Sequence, residues 1–174
     1  MKKDKKKINI DVLLATSANI TLLQAVFDAT PNYFERSTGA PASTDAAKYM
    51  FAATPPDRLS VEKVVFGIWL GADLIGVCDV VLNYPQNGTS YIGLFLISEK
   101  YHRQKLGGTA YALIERRLEK EYATEIVRLG VSEGNAAVCG FWEKNDFLYQ
   151  HDSSYTSRNG LKRRASVFQK QLKP

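Results

Sequence analysis

IGLFLISEKYHRQKLGGTAYALIERRL, residues 92–118, decides how this chain is read. Its first six residues are continuously apolar and rich in branched and aromatic side chains, the pattern of a strand buried on both faces. Tyr101–Gly108 follows as a short basic loop containing His102, Arg103, Gln104, Lys105 and the adjacent glycines Gly107 and Gly108. Apolar residues then recur at Leu106, Ala110, Leu113, Ile114 and Leu118, one stripe at helical period. A strand that enters a glycine-bearing loop at a helix start is a device for holding anions. The first N–H groups of a helix have no internal partner and carry roughly half a positive charge. Glycine lets the backbone approach a ligand closely, and phosphate is the usual guest. The same residues also suit a plain strand–loop–helix unit in which the glycines only make the turn.

Just before this stretch, Val64–Leu70 and Leu74–Leu82 read as a hairpin around Gly71-Ala72-Asp73. Asn83–Thr89 is a second turn, and Ser90–Ile97 completes an antiparallel meander. After it, Glu125–Val131 is a strand, Gly134 or Asn135 opens a helix, and Phe147–His151 is another strand. Ser153–Gly160 reads as a polar loop, and Arg163–Leu172 alternates like an exposed edge strand that could pair at a dimer interface. At the front, Ile8–Leu14 is a strand. Ser17 caps a helix bearing Ile20, Leu23, Val26 and Phe27. Pro31 interrupts that helix, Asn32–Arg36 resumes a helical turn, and Ser43 or Thr44 caps a further helix that Pro55-Pro56 ends. The expected fold class is α+β, and the early meander argues against a simple doubly wound sheet.

The chain has 174 residues, 45% hydrophobic and 24% charged, which suits one soluble domain. A domain of this size buries roughly 70% of its unfolded surface and needs no metal or disulfide staple. The net charge of +5 hints at nucleic acid until it is located. Residues 2–7, KKDKKK, carry five lysines and one aspartate, so +4 of the +5 sits there and +1 is left for the rest. Residues 1–7 are therefore expected to be a disordered basic head on a single domain, 8–174, that binds no nucleic acid. No apolar segment follows the head as in a secretory signal, and no run is long enough for a membrane span. Cys78 and Cys139 read as small hydrophobes of a reducing, cytoplasmic compartment. His102 and His151 are too few and too separated for a metal site.

Two separated places resemble the GNAT superfamily of acetyl-coenzyme A-dependent N-acetyltransferases. The family loop is (Gln/Arg)-x-x-Gly-x-(Gly/Ala) between a strand and a helix. The best register here is His102-x-x-Lys105-x-Gly107, with His102 and Lys105 departing from the pattern. Registers shifted to Arg103 or Gln104 match differently. The second place, Asn135-x-x-Val138-x-x-Phe141-Trp142-x-Lys144-x-Asp146-Phe147, is similar to the family's Asn-x-x-Ala-x-x-Phe-Tyr-x-Lys-x-Gly-Phe. Trp142 stands where tyrosine is common and Asp146 where glycine is.

The resemblance implies a GNAT fold: a mixed, mostly antiparallel sheet flanked by helices, with two parallel strands splayed to admit acetyl-CoA. It implies a pyrophosphate site on the backbone of Arg103–Thr109, with His102, Arg103, Gln104, Lys105, Leu106, Gly107, Gly108 and Thr109 as the loop. Phe95, Leu96 and Ile97 would pair with the pantetheine arm, a Leu96 or Ile97 N–H would meet the developing oxyanion, and Asn135, Phe141 and Trp142 would hold the arm. It implies direct attack by a primary amine of a small molecule, peptide or protein, in a monomer or homodimer. The alternative is a non-catalytic CoA-binding sensor.

A free amine of pKa ~10.4 is mostly protonated at neutral pH, so a base is needed. Asp79 is favoured, because it is an acid in the apolar strand GVCDVVL, where burial would raise its pKa. An outward-facing residue is its bland alternative. Trp142 cannot supply the tyrosine hydroxyl many relatives use, so Tyr84, Tyr149 or Tyr91 would protonate the thiolate, or it would leave unassisted. Tyr33 and Glu35 are candidates for acceptor binding, in a pocket expected from Thr16–Pro56 and the Tyr84–Thr89 turn.

Overall fold

The computed structural model describes residues 7–58 and 60–172. The expected basic head lies outside the described residues except for Lys7, which is exposed. The elements are β1 (Ile8–Val12), α1 (Ser17–Asp28), α2 (Pro31–Thr38), α3 (Ala46–Ala52), β2 (Glu62–Leu70), β3 (Asp73–Leu82), β4 (Thr89–Ile97), α4 (Leu106–Glu121), β5 (Ile126–Ser132), α5 (Cys139–Glu143), β6 (Leu148–Thr156) and β7 (Lys162–Gln171). A 3-10 turn, Glu99–Tyr101, leads out of β4, and a 3-10 helix, Glu133–Val138, leads into α5. The strands form one sheet in the order β1-β2-β3-β4-β5-β7-β6. Every neighbouring pair is antiparallel except β4–β5.

Each face of the sheet carries its own apolar cluster, because successive side chains of a strand point to opposite faces. On one face Val64, Phe66 and Ile68 of β2 pack with Ala110, Tyr111, Ile114 and Leu118 of α4. On the other, Val65 and Val77 pack with Leu23, Val26 and Phe27 of α1 and Ala47 and Met50 of α3. Fully buried residues such as Leu23 and Ile114 each stabilise the fold by ~1.5–3 kcal/mol.

Several expectations change at the element ends. Thr16, not Ser17, is the N-cap of α1, with its hydroxyl accepting from Asn19 N at 3.2 Å. Pro31 begins α2 rather than interrupting a helix, since its missing N–H falls where no partner exists anyway. Asp45, rather than Ser43 or Thr44, precedes α3. In α4 Leu113 is 36% exposed and Tyr111 takes the buried place. Gly134 and Asn135 lie in the 3-10 helix, with Asn135 itself outside helical geometry.

Two corrections alter the architecture. Ser153–Thr156 is strand, not loop, because its residues pair with Lys162–Ala165 of β7. β7 is not an edge strand. It lies between β5 and β6, and its alternation reflects two half-buried faces rather than solvent. The edge on that side is β6, all nine residues of which are exposed. An interface through an open β7 edge is therefore excluded.

α2 is held at both ends. Glu99 accepts from Asn32 N at 2.9 Å and Asn32 Nδ2 at 2.5 Å, placing a carboxylate at the helix N-terminus. Near its other end, the Arg36 carbonyl packs so closely on Gly134 that a Cβ there would collide with it. α2 thus bridges from the exit of β4 to the exit of β5.

Candidate active site

β4 and β5 pair from Thr89 opposite Ile126 to Ile92 opposite Leu129 and then part. The cause is local. Opposite β4, Asp79 pairs with Leu94 and Val80 with Ile92, so Gly93 is an extra residue in β4. Such a bulge bends a strand and increases its twist. Beyond it, β4 stays paired with β3 through Ile97, and β5 stays paired with β7 through Ser132. The facing edges are left open, with backbone groups that an extended ligand could pair with.

A cavity of about 760 Å³ runs through this opening. Its walls come from α1–α3, from Asp79, from Tyr91–Phe95 and Leu129–Ser132 on the two splayed strands, from Asn135, Val138 and Trp142, and from the β6–β7 hairpin. Asn135 is buried, and among the described residues no hydrogen bond engages its side-chain amide. Ser132 Oγ is likewise buried without a partner. A hydroxyl held as that of Ser132 is poised for a ligand, since burial without a hydrogen bond costs roughly 1–3 kcal/mol.

Asp79 points toward the α1–α3 side of the sheet, in line with Val77 and opposite in direction to Cys78 and Val80. It is 7% exposed, so the outward-facing alternative fails. Lys63 Nζ lies 3.1 Å from Asp79 Oδ1. The same ammonium donates to the carbonyls of Met50 and Ala53 at the C-terminal end of α3. Burial pushes the Asp79 carboxyl up to about 6, and the Lys63 charge only moderates the rise. Gly93 leaves room for this carboxylate, because a Cβ there would stand 3.0 Å from Asp79 Oδ2.

At the mouth of the splay, the loop turns back on β4 through His102 Nε2 and the Ile97 carbonyl, 2.7 Å apart. Arg103 and Lys105 both have φ of 60°, and Lys105 precedes α4 without a side-chain cap. The first N–H groups of α4 are therefore left for another partner. A side chain at Gly107 would meet Phe141 Cε2 at 3.3 Å, whereas one at Gly108 would meet nothing within 4 Å. In the register His102-x-x-Lys105-x-Gly107 the left-handed Lys105 sits where the family loop has glycine. Asp146, in place of the second motif's glycine, also has a positive φ, 66°.

The other candidate residues divide clearly. Phe95, Asn135, Trp142 and Tyr33 line the cavity. Phe95 stacks on Phe141 at 5.7 Å, and Trp142 is buried against both and against Tyr111 and Phe147. Leu96 and Ile97 lie on β4 beyond the bulge. His102 through Thr109 form the loop and helix start outside the cavity wall. Tyr84, Tyr149 and Glu35 are not brought to the cavity. Tyr84 Oη donates to Asp57 at 2.9 Å, Tyr149 is exposed on β6 against Phe168, and Glu35 is on the exposed side of α2. The Tyr84–Thr89 turn is also absent from the wall, where the β6–β7 hairpin stands instead.

Sequence reasoning missed Lys63, Tyr155 and Arg158. Lys63 had a signal, since it shares a strand face with Val65, which pairs opposite Asp79. Tyr155 and Arg158 had none while their segment read as a loop. Burial of its hydroxyl, with Tyr155 nearby, pushes Tyr33 up to about 12.

The family model for the acetyltransferase (GNAT) family matches residues 24–147, more than half the chain, and the chain belongs to that family. Solved structures share its fold. An acetyltransferase from Thermus thermophilus is 21% identical with a TM-score of 0.73, covering 94% of this chain and 97% of its own. An acetyl transferase from Salmonella typhimurium that modifies the N-terminal serine of 50S ribosomal subunit protein L7/L12 is 12% identical with a TM-score of 0.73, covering 95% of each chain. A PaiA N-acetyltransferase from Thermoplasma acidophilum in complex with coenzyme A is 14% identical with a TM-score of 0.62, covering 95% of this chain and 99% of its own. No curated protein matches the sequence at a significant level.

Proposed function

We propose that this protein is an acetyl-CoA-dependent N-acetyltransferase that acts on a primary amine by direct attack in a ternary complex. The observation that carries this reading is the opening between β4 and β5, with unpaired strand edges on both sides and Asp79 on its wall. The open edge of β4 at Phe95, Leu96 and Ile97 would pair with the amide groups of the pantetheine arm. Asn135 and Ser132 offer hydrogen bonds from the β5 side, and Phe141 and Trp142 pack beneath the arm through Phe95. The N-terminus of α4 with Arg103 and Lys105 would hold the pyrophosphate.

Acetyl-CoA supplies an acetyl thioester: the C–N bond to the amine forms as the C–S bond breaks, and sulfur leaves as thiolate. The chain must then take the amine's proton. An apolar cavity disfavours the ammonium form, which lowers the amine's pKa toward that of Asp79. Asp79 receives the proton, and Lys63 holds the carboxylate by ion pairing. Of the tyrosines weighed as proton donors, Tyr91 lines the cavity, reaching over Gly130 of β5.

Calorimetric titration with acetyl-CoA tests the reading. Micromolar binding is expected, weakened at least 10-fold in Asn135→Ala and in Gly108→Glu. Gly108 is preferable to Gly107 because its side chain would enter open space, placing negative charge at the helix start without displacing Phe141. Absence of binding would overturn the acetyltransferase and the CoA-sensor readings together. Binding without thiol release across amines would favour the sensor.

A further inference from the structure

The wall of the cavity carries very little charge. Phe27, Phe34, Tyr49 and Met50 form its helix side, and Leu94 and Val167 lie on the sheet side. Among the described residues that line it, two are charged, Asp79 and Arg158. Arg158 is already neutralised. Its Nη1 and Nη2 donate to Asp45 at 3.0 and 2.7 Å, Nη1 donates to Ser43 Oγ at 2.9 Å, and the guanidinium lies 4.2 Å from the Tyr49 ring centre. Asp79 is thus the one carboxylate among these lining residues; Lys63 pairs with its Oδ1, which leaves Oδ2, beside Gly93, to an incoming amine, and none of their cations is free to receive an acceptor's carboxylate.

The same contacts close one side. Arg158 and Asn159 belong to the β6–β7 connection, and Ser43 and Asp45 to the α2–α3 connection. Asn159 Nδ2 also donates to the Thr38 carbonyl at 3.0 Å. Both connections line the cavity, so their junction forms part of its wall. The cavity of about 760 Å³ also includes the splay proposed for the pantetheine arm, so the part left to the acceptor suits a small molecule.

We propose that the acceptor is a small amine with a single positive charge and an aromatic or branched apolar body. A polyamine or aminoglycoside would bury additional ammonium groups with no partner. The tied β6–β7 and α2–α3 connections deny a polypeptide terminus that side of the cavity. The proposal rests on the acetyltransferase reading, and the two are tested separately.

Acetyl-CoA binding is measured first by calorimetry. Thiol release is then followed with 2-phenylethylamine, isoamylamine, spermidine, kanamycin and a hexapeptide with a free N-terminus. The expected result is that kcat/KM for the two apolar monoamines exceeds that for each of the others by roughly 100-fold or more, the cost of an unpaired buried charge. In Phe34→Ala, KM for 2-phenylethylamine should rise roughly 10-fold with acetyl-CoA affinity unchanged. Preference for spermidine, kanamycin or the peptide overturns the inference and leaves the acetyltransferase reading standing. Acetyl-CoA binding with turnover of none of the five overturns it as well. Failure to bind acetyl-CoA removes the reading itself, and the inference with it.

Discussion

Lys105, which the register His102-x-x-Lys105-x-Gly107 sets against a family glycine, and Asp146, which the second motif does, both have a positive φ. The left-handed region costs a non-glycine residue roughly 1–2 kcal/mol, less for aspartate, whose short side chain tolerates it. Glycine returns part of that gain through unfolded-state entropy. Lys105→Gly should therefore raise the thermal midpoint by a few °C, with Asp146→Gly giving a smaller rise; calorimetric scanning checks both. Lys105→Gly should also weaken acetyl-CoA binding a few-fold, because a charge proposed to hold the pyrophosphate is lost. Asp79 makes a pH prediction with a definite sign. Its carboxyl holds a proton up to about 6 in the folded chain, against 3.8 in the ordinary case. The protonated form therefore stabilises the fold below that ordinary value, and the contribution is lost as pH rises from about 4 through about 6. Activity should run the other way. kcat/KM should climb through an apparent pKa near 6 as the base ionises, and Asp79→Asn should remove this limb with a rate loss of ~10²–10⁴. An unchanged profile in the variant would exclude Asp79 as the base.

At the scale of elements, the site depends on two glycines that permit close approach. Gly93 makes the bulge that turns β4 away from β5, and Gly134 lets the 3-10 helix after β5 touch the Arg36 carbonyl of α2. A methyl group at Gly134 has to displace backbone, which cannot rotate aside as a side chain can. Gly134→Ala should destabilise the fold by ~1–3 kcal/mol. Acceptor KM should rise as α2 lifts from the cavity, while acetyl-CoA affinity stays near its original value. Steady-state kinetics beside calorimetry would separate these effects. Equal losses for both ligands would mean that α2 does not shape the acceptor side alone.

The whole molecule should respond to acetyl-CoA as a single cooperative unit. Both arms of the splay belong to one sheet, so a ligand pairing with both edges stabilises the folded state against complete unfolding. At 100 times Kd the stabilisation is about 2.7 kcal/mol. For a chain of this length that corresponds to an increase of roughly 5–10 °C in the thermal midpoint. At the same ligand concentration Gly108→Glu should remove about half of the shift or more, without changing the midpoint of the free protein by more than a few degrees.

The local pattern was sufficient for the meander, the strand–loop–helix at 92–118 and the two family motifs. Each rests on contiguous residues whose period or turn chemistry survives in isolation. The burial of Asp79 was also foreshadowed, because an acid in a continuously apolar strand has few other places to go. The tertiary structure alone decided that β7 lies inside β6, that Tyr84, Tyr149 and Glu35 stand away from the cavity, and that Arg158 stands at it. These are matters of which distant segments meet. An alternating strand has the same sequence at an edge as between two partners, and an ion pair such as Arg158–Asp45, 113 residues apart, leaves no periodic trace. The chemistry of the fold was written locally, whereas the acceptor side of its site was assembled by packing.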